Sequence, residues 1–262
     1  MFDFEFVKPS SIVEAARLLG GEGAQALSGG QTLMPTMKQR LAAPSVLVSL
    51  TGIAEMKGLS VAAGTLTVGA ATPHAVVAAE AARVFPALAA LAGGIGDPAV
   101  RNRGTIGGSI ANNDPSACYP AAVLASGATV VTSKRRIAAD DFFQGMFSTA
   151  LEEGEFVTSV AFPIPEKAAY VKFNQPASRF ALTGVFVAKF AGGVRVAVTG
   201  ASNNGVFRWA EAEAALAKSF TADALQGLGV DDSDMITDLH GTAAYRANLV
   251  KVLTGRAVSA AG

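Results

Sequence analysis

The sequence predicts an α+β protein with two kinds of sheet, and three observations predict it. Residues up to about 57 run in the order strand, loop, helix, strand, the pattern of a small parallel sheet. From Leu59 the apolar residues alternate around Gly64, as in an antiparallel hairpin. Beyond Pro163 and Pro165 strands come first and helices follow, so the last third is a sheet followed by helices.

Each element has a local reason. Residues 10–19 read as a helix: Pro9 precedes it, Ser11 and Glu14 have capping-box spacing, Ile12, Ala15, Ala16 and Leu19 form one apolar stripe, and Gly20-Gly21 ends it. Residues 24–27 read as a strand and 28–32 as a loop. Residues 33–41 read as a helix with Thr32 as N-cap and Pro35 tolerated in the first turn, and 46–50 as a strand. Residues 59–63 and 65–70 pair as a hairpin, and Thr72-Pro73 opens an alanine-rich helix. Residues 85–92 form a second helical piece, followed by a glycine-rich stretch over 93–111. Then come a helix over 115–125 and strands over 128–133 and 155–162, with Lys134-Arg135-Arg136 as a turn between strands. Pro163 and Pro165 mark a linker. Residues 170–173, 180–190 and 194–200 read as strands, and 209–218 and 239–253 as amphipathic helices. No internal repeat is visible.

Composition excludes several classes. The 262 residues carry 21 Lys or Arg and 21 Asp or Glu, and half of them are apolar. Only 16 % are charged, against about 25 % in an average soluble protein. Such a chain buries large cores and is not disordered. It lacks the clustered cations that a nucleic-acid surface needs. Cys118 is the single cysteine, so the chain forms no internal disulfide and no thiolate cluster for zinc or iron–sulfur. His74 and His240 are the two histidines. The first residues lack the basic start and apolar run of a signal peptide, and no stretch of about 20 residues is uniformly apolar. The sequence therefore predicts a soluble cytoplasmic protein without a transmembrane segment.

Two glycine loops could carry chemistry. The first is Ser28-Gly29-Gly30-Gln31-Thr32, between a strand and a helix. Glycines there let the backbone take positive φ and let a ligand approach closely, and free N–H groups at a helix start suit a phosphate. The same residues also suit a tight strand-to-helix turn with an ordinary N-cap. The second is Arg103-Gly104-Thr105-Ile106-Gly107-Gly108-Ser109, continuing through Ile110-Ala111-Asn112-Asn113-Asp114-Pro115. It could wrap a nucleotide, or it could be an irregular surface loop leading to an Asn/Asp-Pro helix start.

Other motifs carry less. Gly94-Ile95-Gly96-Asp97-Pro98-Ala99 matches a dinucleotide fingerprint by spelling, but follows a helix where a fingerprint follows a strand. Asp231, Asp232 and Asp234 lack the glycine and glutamate of a calcium loop. His74, His240 and Cys118 read as packing or surface residues, and Met34 and Met37 as core.

Taken together, Leu27-Ser28-Gly29-Gly30-Gln31-Thr32-Leu33-Met34-Pro35 and Thr105-Ile106-Gly107-Gly108-Ser109-Ile110-Ala111-Asn112-Asn113-Asp114-Pro115 resemble the paired FAD motifs of the molybdenum hydroxylase flavoproteins. These are the medium subunits of aerobic carbon monoxide dehydrogenase and of xanthine dehydrogenase-type enzymes. The resemblance covers nearly the whole chain. It implies an FAD-binding domain of the vanillyl-alcohol-oxidase (PCMH) type over residues 1–165, in subdomains of about 1–57 and 58–165. A C-terminal domain over 166–262 would hold a three-stranded antiparallel sheet and helices.

The resemblance also implies roles. Leu27, Ser28, Gly29, Gly30, Gln31, Thr32 and Leu33 would hold the FAD pyrophosphate through backbone amides. Thr105, Ile106, Gly107, Gly108 and Ser109 would lie along the other side of the cofactor, with Asn112 near the flavin ring. Ile95 and Val157 would pack on the cofactor and Phe180 would cover one flavin face. Two positions depart from the family. Cys118 stands where an aspartate is common, so a polar contact to the nucleotide is either lost or supplied by Asp114. Asn174 stands where a lysine is common, with Lys172 two residues earlier.

The implied function is electron transfer through FAD, with no substrate-oxidising residue on this chain. A large partner would carry the molybdopterin-type cofactor and a small partner the [2Fe-2S] clusters, in a dimer of heterotrimers. The single cysteine agrees, since iron–sulfur ligands must then lie on another chain. A stand-alone flavin oxidase of the same fold, or a non-catalytic nucleotide-binding module, are the competing readings.

Overall fold

The computed structural model describes residues 1–262. The chain begins with β1 (Glu5–Val7), α1 (Ile12–Leu19), β2 (Ala24–Leu27), α2 (Leu33–Lys38) and β3 (Val46–Ser49). The strands form a parallel sheet in the order β1-β3-β2, as the alternation of strand and helix requires. Ser11 caps α1 by accepting from the Glu14 amide at 3.2 Å. The Glu14 carboxylate returns to the amide of Ser10 rather than Ser11, at 2.8 Å. Ala15 and Leu19 turn into the core.

The second sheet is antiparallel, in the order β4-β5-β8-β6-β7. Its strands are β4 (Leu59–Ala62), β5 (Thr65–Gly69), β6 (Thr129–Thr132), β7 (Arg136–Ala138) and β8 (Val157–Pro163). Ala63 and Gly64 both take positive φ, +47° and +73°, the two-residue turn that matches strand twist. Between β5 and β6 lie α3 (His74–Glu80), α4 (Pro86–Gly93), α5 (Pro98–Arg101), α6 (Ile106–Asn112) and α7 (Tyr119–Ala125); α8 (Ala139–Phe142) follows β7. Every residue of α7 is buried, and α4 is apolar all round. α7 thus sits inside the core, while α4 keeps Pro86, Ala90 and Gly93 exposed.

The third sheet holds β9 (Lys167–Asn174), β10 (Ala181–Phe190), β11 (Gly193–Thr199) and β12 (Phe207–Arg208) in the order β12-β11-β10-β9. It has four antiparallel strands, not the three implied by the resemblance. The added strand is two residues long and pairs Phe207 with Val198 and Arg208 with Ala197. α9 (Ala210–Lys218) and α10 (Ala243–Ala261) complete the chain.

β10 is buried on both faces. Phe186 and Ala188 join the main core with α4 and α7, while Val185 and Val187 join a second core with α9 and α10. Ala181 and Leu182 have the opposite phase, because the pairing of β10 with β9 slips between Ala181 and Thr183. A single bulge flips which face each side chain meets. The third sheet is tied to the rest by Thr199, whose hydroxyl donates to the carbonyls of Pro115 and Ala117 at 2.8 Å. Arg195 on β11 also reaches the Asp140 carboxylate at 2.7 Å.

Other readings change too, and the helix read over 33–41 ends at Lys38. The glycine-rich stretch over 93–111 contains two short helices, because Asp97 and Thr105 each cap one by accepting from the amide three residues on. The turn read over Lys134 to Arg136 is shorter, and Arg136 opens β7. The helix read over 115–125 starts only at Tyr119, with Pro120 in its first turn. The helix read over 239–253 starts at Ala243 with Thr242 as cap and runs to Ala261, leaving Leu239 exposed. No helix is long and apolar enough to cross a membrane.

Candidate functional site

The two glycine loops meet. A cavity of about 920 Å³ lies between them, at the upper end of the range for small-molecule and cofactor sites. One wall is the loop between β2 and α2; another is α6. Residues 95–97, the start of β8 and residues 177–180 close the remaining sides.

Every residue predicted for the site lines this cavity except Ile106. Ile106 is fully buried in the main core, since the first residue of α6 faces the sheet and not the cleft.

The loop junction is close. The hydroxyls of Ser28 and Thr105 lie 2.7 Å apart. A Cβ on Gly29 would stand 2.1 Å from the Arg103 carbonyl oxygen, so the two backbones touch there. A Cβ on Gly107 would meet Ala70 at 2.5 Å. These two glycines are thus demanded by contact with the protein itself, not by ligand approach. Gly30 is the loop glycine with positive φ, +70°. Gly108 differs again: the nearest atoms to its Cβ would be the Thr105 hydroxyl at 3.2 Å and Ser28 at 3.8 Å.

The two walls offer different chemistry. Around α6 the chain uses its own amides: Ile106 donates to the Thr72 carbonyl, Gly107 to that of Ala70, and Gly108 to the Thr105 hydroxyl. In the first loop the backbone N–H groups of Gly29, Gly30, Gln31 and Thr32 donate to nothing in the chain. Thr32 holds the cap position of α2, but its hydroxyl makes no capping bond. Four consecutive unmet donors beside a helix start fit the anionic phosphates of a dinucleotide. The second wall instead supplies shape and the side chains of Ser109 and Asn112.

Asp114 also lines the cavity, with one carboxylate oxygen accepting from the Ser116 amide at 2.8 Å. Asn113, in left-handed backbone, closes α6 and donates to the carbonyls of Gly145 and Ser148 at 2.7 and 2.8 Å. Val157 is buried at the start of β8 and Ile95 is half-buried. Phe180 stands at the rim, 54 % exposed. Lys172 lines the cavity, but its ammonium donates to protein carbonyls.

Three further residues line the cavity; His74 and Glu155 carry no sequence signal for it, and Cys118 is marked only as a departure from the family. Cys118 is buried, as a packed thiol should be, yet it borders the cavity with the Lys172 ammonium 3.6 Å from its sulfur. His74 is buried with Nδ1 unpartnered and its ring 5.3 Å from that of Tyr119. Burial, reinforced by the nearby Arg101 charge, pushes its pKa down to about 4, so the ring is neutral. Glu155 sits where β8 approaches. Burial opposes its ionisation, but Arg135, the Thr132 hydroxyl and the Glu152 amide together hold its pKa below the usual carboxylate value. Each is revealed only once distant segments come together.

Residues 2–165 match the family model described as the FAD binding domain in molybdopterin dehydrogenase. The chain is 33 % identical to the carbon monoxide dehydrogenase medium chain of Hydrogenophaga pseudoflava, over 98 % of this chain and 96 % of that one. It is also 33 % identical to the nicotine 6-hydroxylase medium subunit of Paenarthrobacter nicotinovorans, with the same coverage. The structure of reconstituted CO dehydrogenase from Oligotropha carboxidovorans superposes with a TM-score of 0.90 at 30 % identity, covering 100 % of this chain and 99 % of that one.

Proposed function

The chain belongs to the family of FAD binding domains in molybdopterin dehydrogenase, and from that premise we propose that it is the electron-transfer subunit of a molybdenum- and iron–sulfur-containing dehydrogenase. It is an oxidoreductase subunit that carries FAD. In the proposal, electrons arrive from [2Fe-2S] clusters on a small partner and leave to an external acceptor. Substrate is oxidised on a large molybdenum-bearing partner. The relatives are medium subunits by name, which supports a multi-subunit assembly, read here as a dimer of heterotrimers in the cytoplasm.

One observation carries the reading: Gly29 to Thr32, whose amides donate to nothing in the chain, line a cofactor-sized cavity whose far wall is the second glycine loop. Bound there, FAD supplies the ability to exchange electrons singly or in pairs. The chain's own residues bind and orient it. The first loop grips the pyrophosphate, while Thr105, Gly107, Gly108 and Ser109 shape the opposite side. Asn112 and Asp114 would present polar groups to it, Ile95 and Val157 would offer apolar contact, and Phe180 would cover the ring. Offset stacking of an aromatic would contribute about 1 kcal/mol. Residues 1–57 and 58–165 act as the two FAD-binding subdomains and 166–262 as a separate C-terminal domain. In this reading no residue of the chain oxidises substrate, and a single cysteine, too few to hold a cluster, supports iron–sulfur ligands on a partner.

The test is direct. The purified chain should be yellow, and acid precipitation should release the flavin as FAD. Finding FMN, or flavin retained in the precipitate, would overturn the reading.

A further inference from the structure

Two walls of the cavity are held by one side chain. Lys172 projects from β9, and its ammonium donates to the Gly94 carbonyl and to the Arg179 carbonyl, both at 2.8 Å. The first carbonyl immediately precedes Ile95; the second immediately precedes Phe180. The charge is met by carbonyl oxygens rather than by a carboxylate, which makes both bonds charge-assisted.

Both segments need such a hold. Arg101 donates to the next two carbonyls, Ile95 and Gly96, each at 3.0 Å, so three successive carbonyls of that wall are fixed by cations. On the other side, residues 175–180 fold back on themselves: the Gln175 amide donates to the Phe180 carbonyl and the Arg179 amide to that of Gln175, both at 2.8 Å. Arg179 has φ of +62°, a strained value for a residue with a side chain. The carbonyl of that strained residue is the one Lys172 takes. The bulge of β10 begins just beyond, so the strand does not by itself fix the direction of Phe180.

We propose that Lys172 is the positioning residue for the cover over the flavin ring: it fastens the segment bearing Phe180 to the wall bearing Ile95. This rests on the functional reading above. Lys172 acts through the Gly94 and Arg179 carbonyls; the pyrophosphate grip at Gly29 to Thr32 is independent of it.

The experiment uses the full chain loaded with FAD. In Lys172→Met, FAD should still bind at one per chain, but iodide should quench the bound flavin several-fold more efficiently. Release of FAD on dilution should be roughly tenfold faster, as expected for losing charged hydrogen bonds. Phe180→Ala should give a similar rise in quenching, and the double variant should be no worse than Phe180→Ala alone, because Lys172 works by placing Phe180. Lys172→Arg, which keeps its donors, should recover most of the slow release. Quenching in Lys172→Met equal to wild type, or effects that multiply in the double variant, would overturn the proposal. A wild-type chain that takes up no FAD would instead overturn the functional reading, and this inference with it.

Discussion

Ser28 and Thr105 lie 77 residues apart in the chain, and their hydroxyl oxygens are 2.7 Å apart in the fold. Ser28 ends the strand side of the first glycine loop, and Thr105 caps α6 by accepting from the Gly108 amide. The bond therefore sets the spacing of the two walls of the cavity. Ser28→Ala should cost about 1 kcal/mol in urea unfolding. Thr105→Val, which removes the bond and the helix cap, should cost about 2 kcal/mol. The double variant should cost no more than Thr105→Val. Fully additive losses would show that the two hydroxyls do not work as a pair.

The glycines should separate into structural and ligand-facing sets. Gly29→Ala places a methyl within 2.1 Å of the Arg103 carbonyl oxygen, so the loops must part, at about 1–3 kcal/mol. In Gly108→Ala the gain in helix propensity, about 1 kcal/mol, offsets the tight contact with Thr105. That variant should melt near the wild-type temperature and yet take up less FAD. Wild-type FAD uptake by Gly108→Ala would mean that α6 does not form the wall described.

His74 gives stability a pH dependence with a definite sign. Its pKa falls from 6.5 to about 4 on folding, chiefly through burial. The unfolded chain therefore binds the proton more readily. The neutral ring's contribution is fully present above pH 6.5 and is lost as pH falls toward 4, by up to about 3 kcal/mol. His74→Gln should flatten the stability profile between pH 6.5 and 4.5. An unchanged slope in denaturant titrations across that interval would contradict the assignment.

What was legible in the sequence was local. Ser11 and Glu14 announced α1, Gly64 announced the β4–β5 hairpin, and the spelling of the two loops announced the cavity's walls. What was not legible depends on contacts between distant segments. Ile106 sits among site residues in sequence, but its helical phase turns it into the core. Gly29 and Gly107 look like glycines made for a ligand, yet Arg103 and Ala70 occupy the space beside them. His74 and Glu155 have no local pattern; α3 and the approach to β8 bring them to the cavity that Lys172 and Cys118 also line. The strand β12 has no sequence signal, because two residues leave no periodicity to read.

The central claim is that this chain passes on electrons it does not itself take from substrate. The decisive measurement is the visible absorbance of its flavin in a complex reconstituted with the molybdenum-bearing and iron–sulfur subunits. The substrate oxidised by the large subunit should bleach the flavin in the full complex. Bleaching should fail when the iron–sulfur subunit is left out, and the isolated chain should stay yellow with carbon monoxide, a purine or an aldehyde. Bleaching of the isolated chain by such a substrate would contradict the account and favour a stand-alone flavin oxidase.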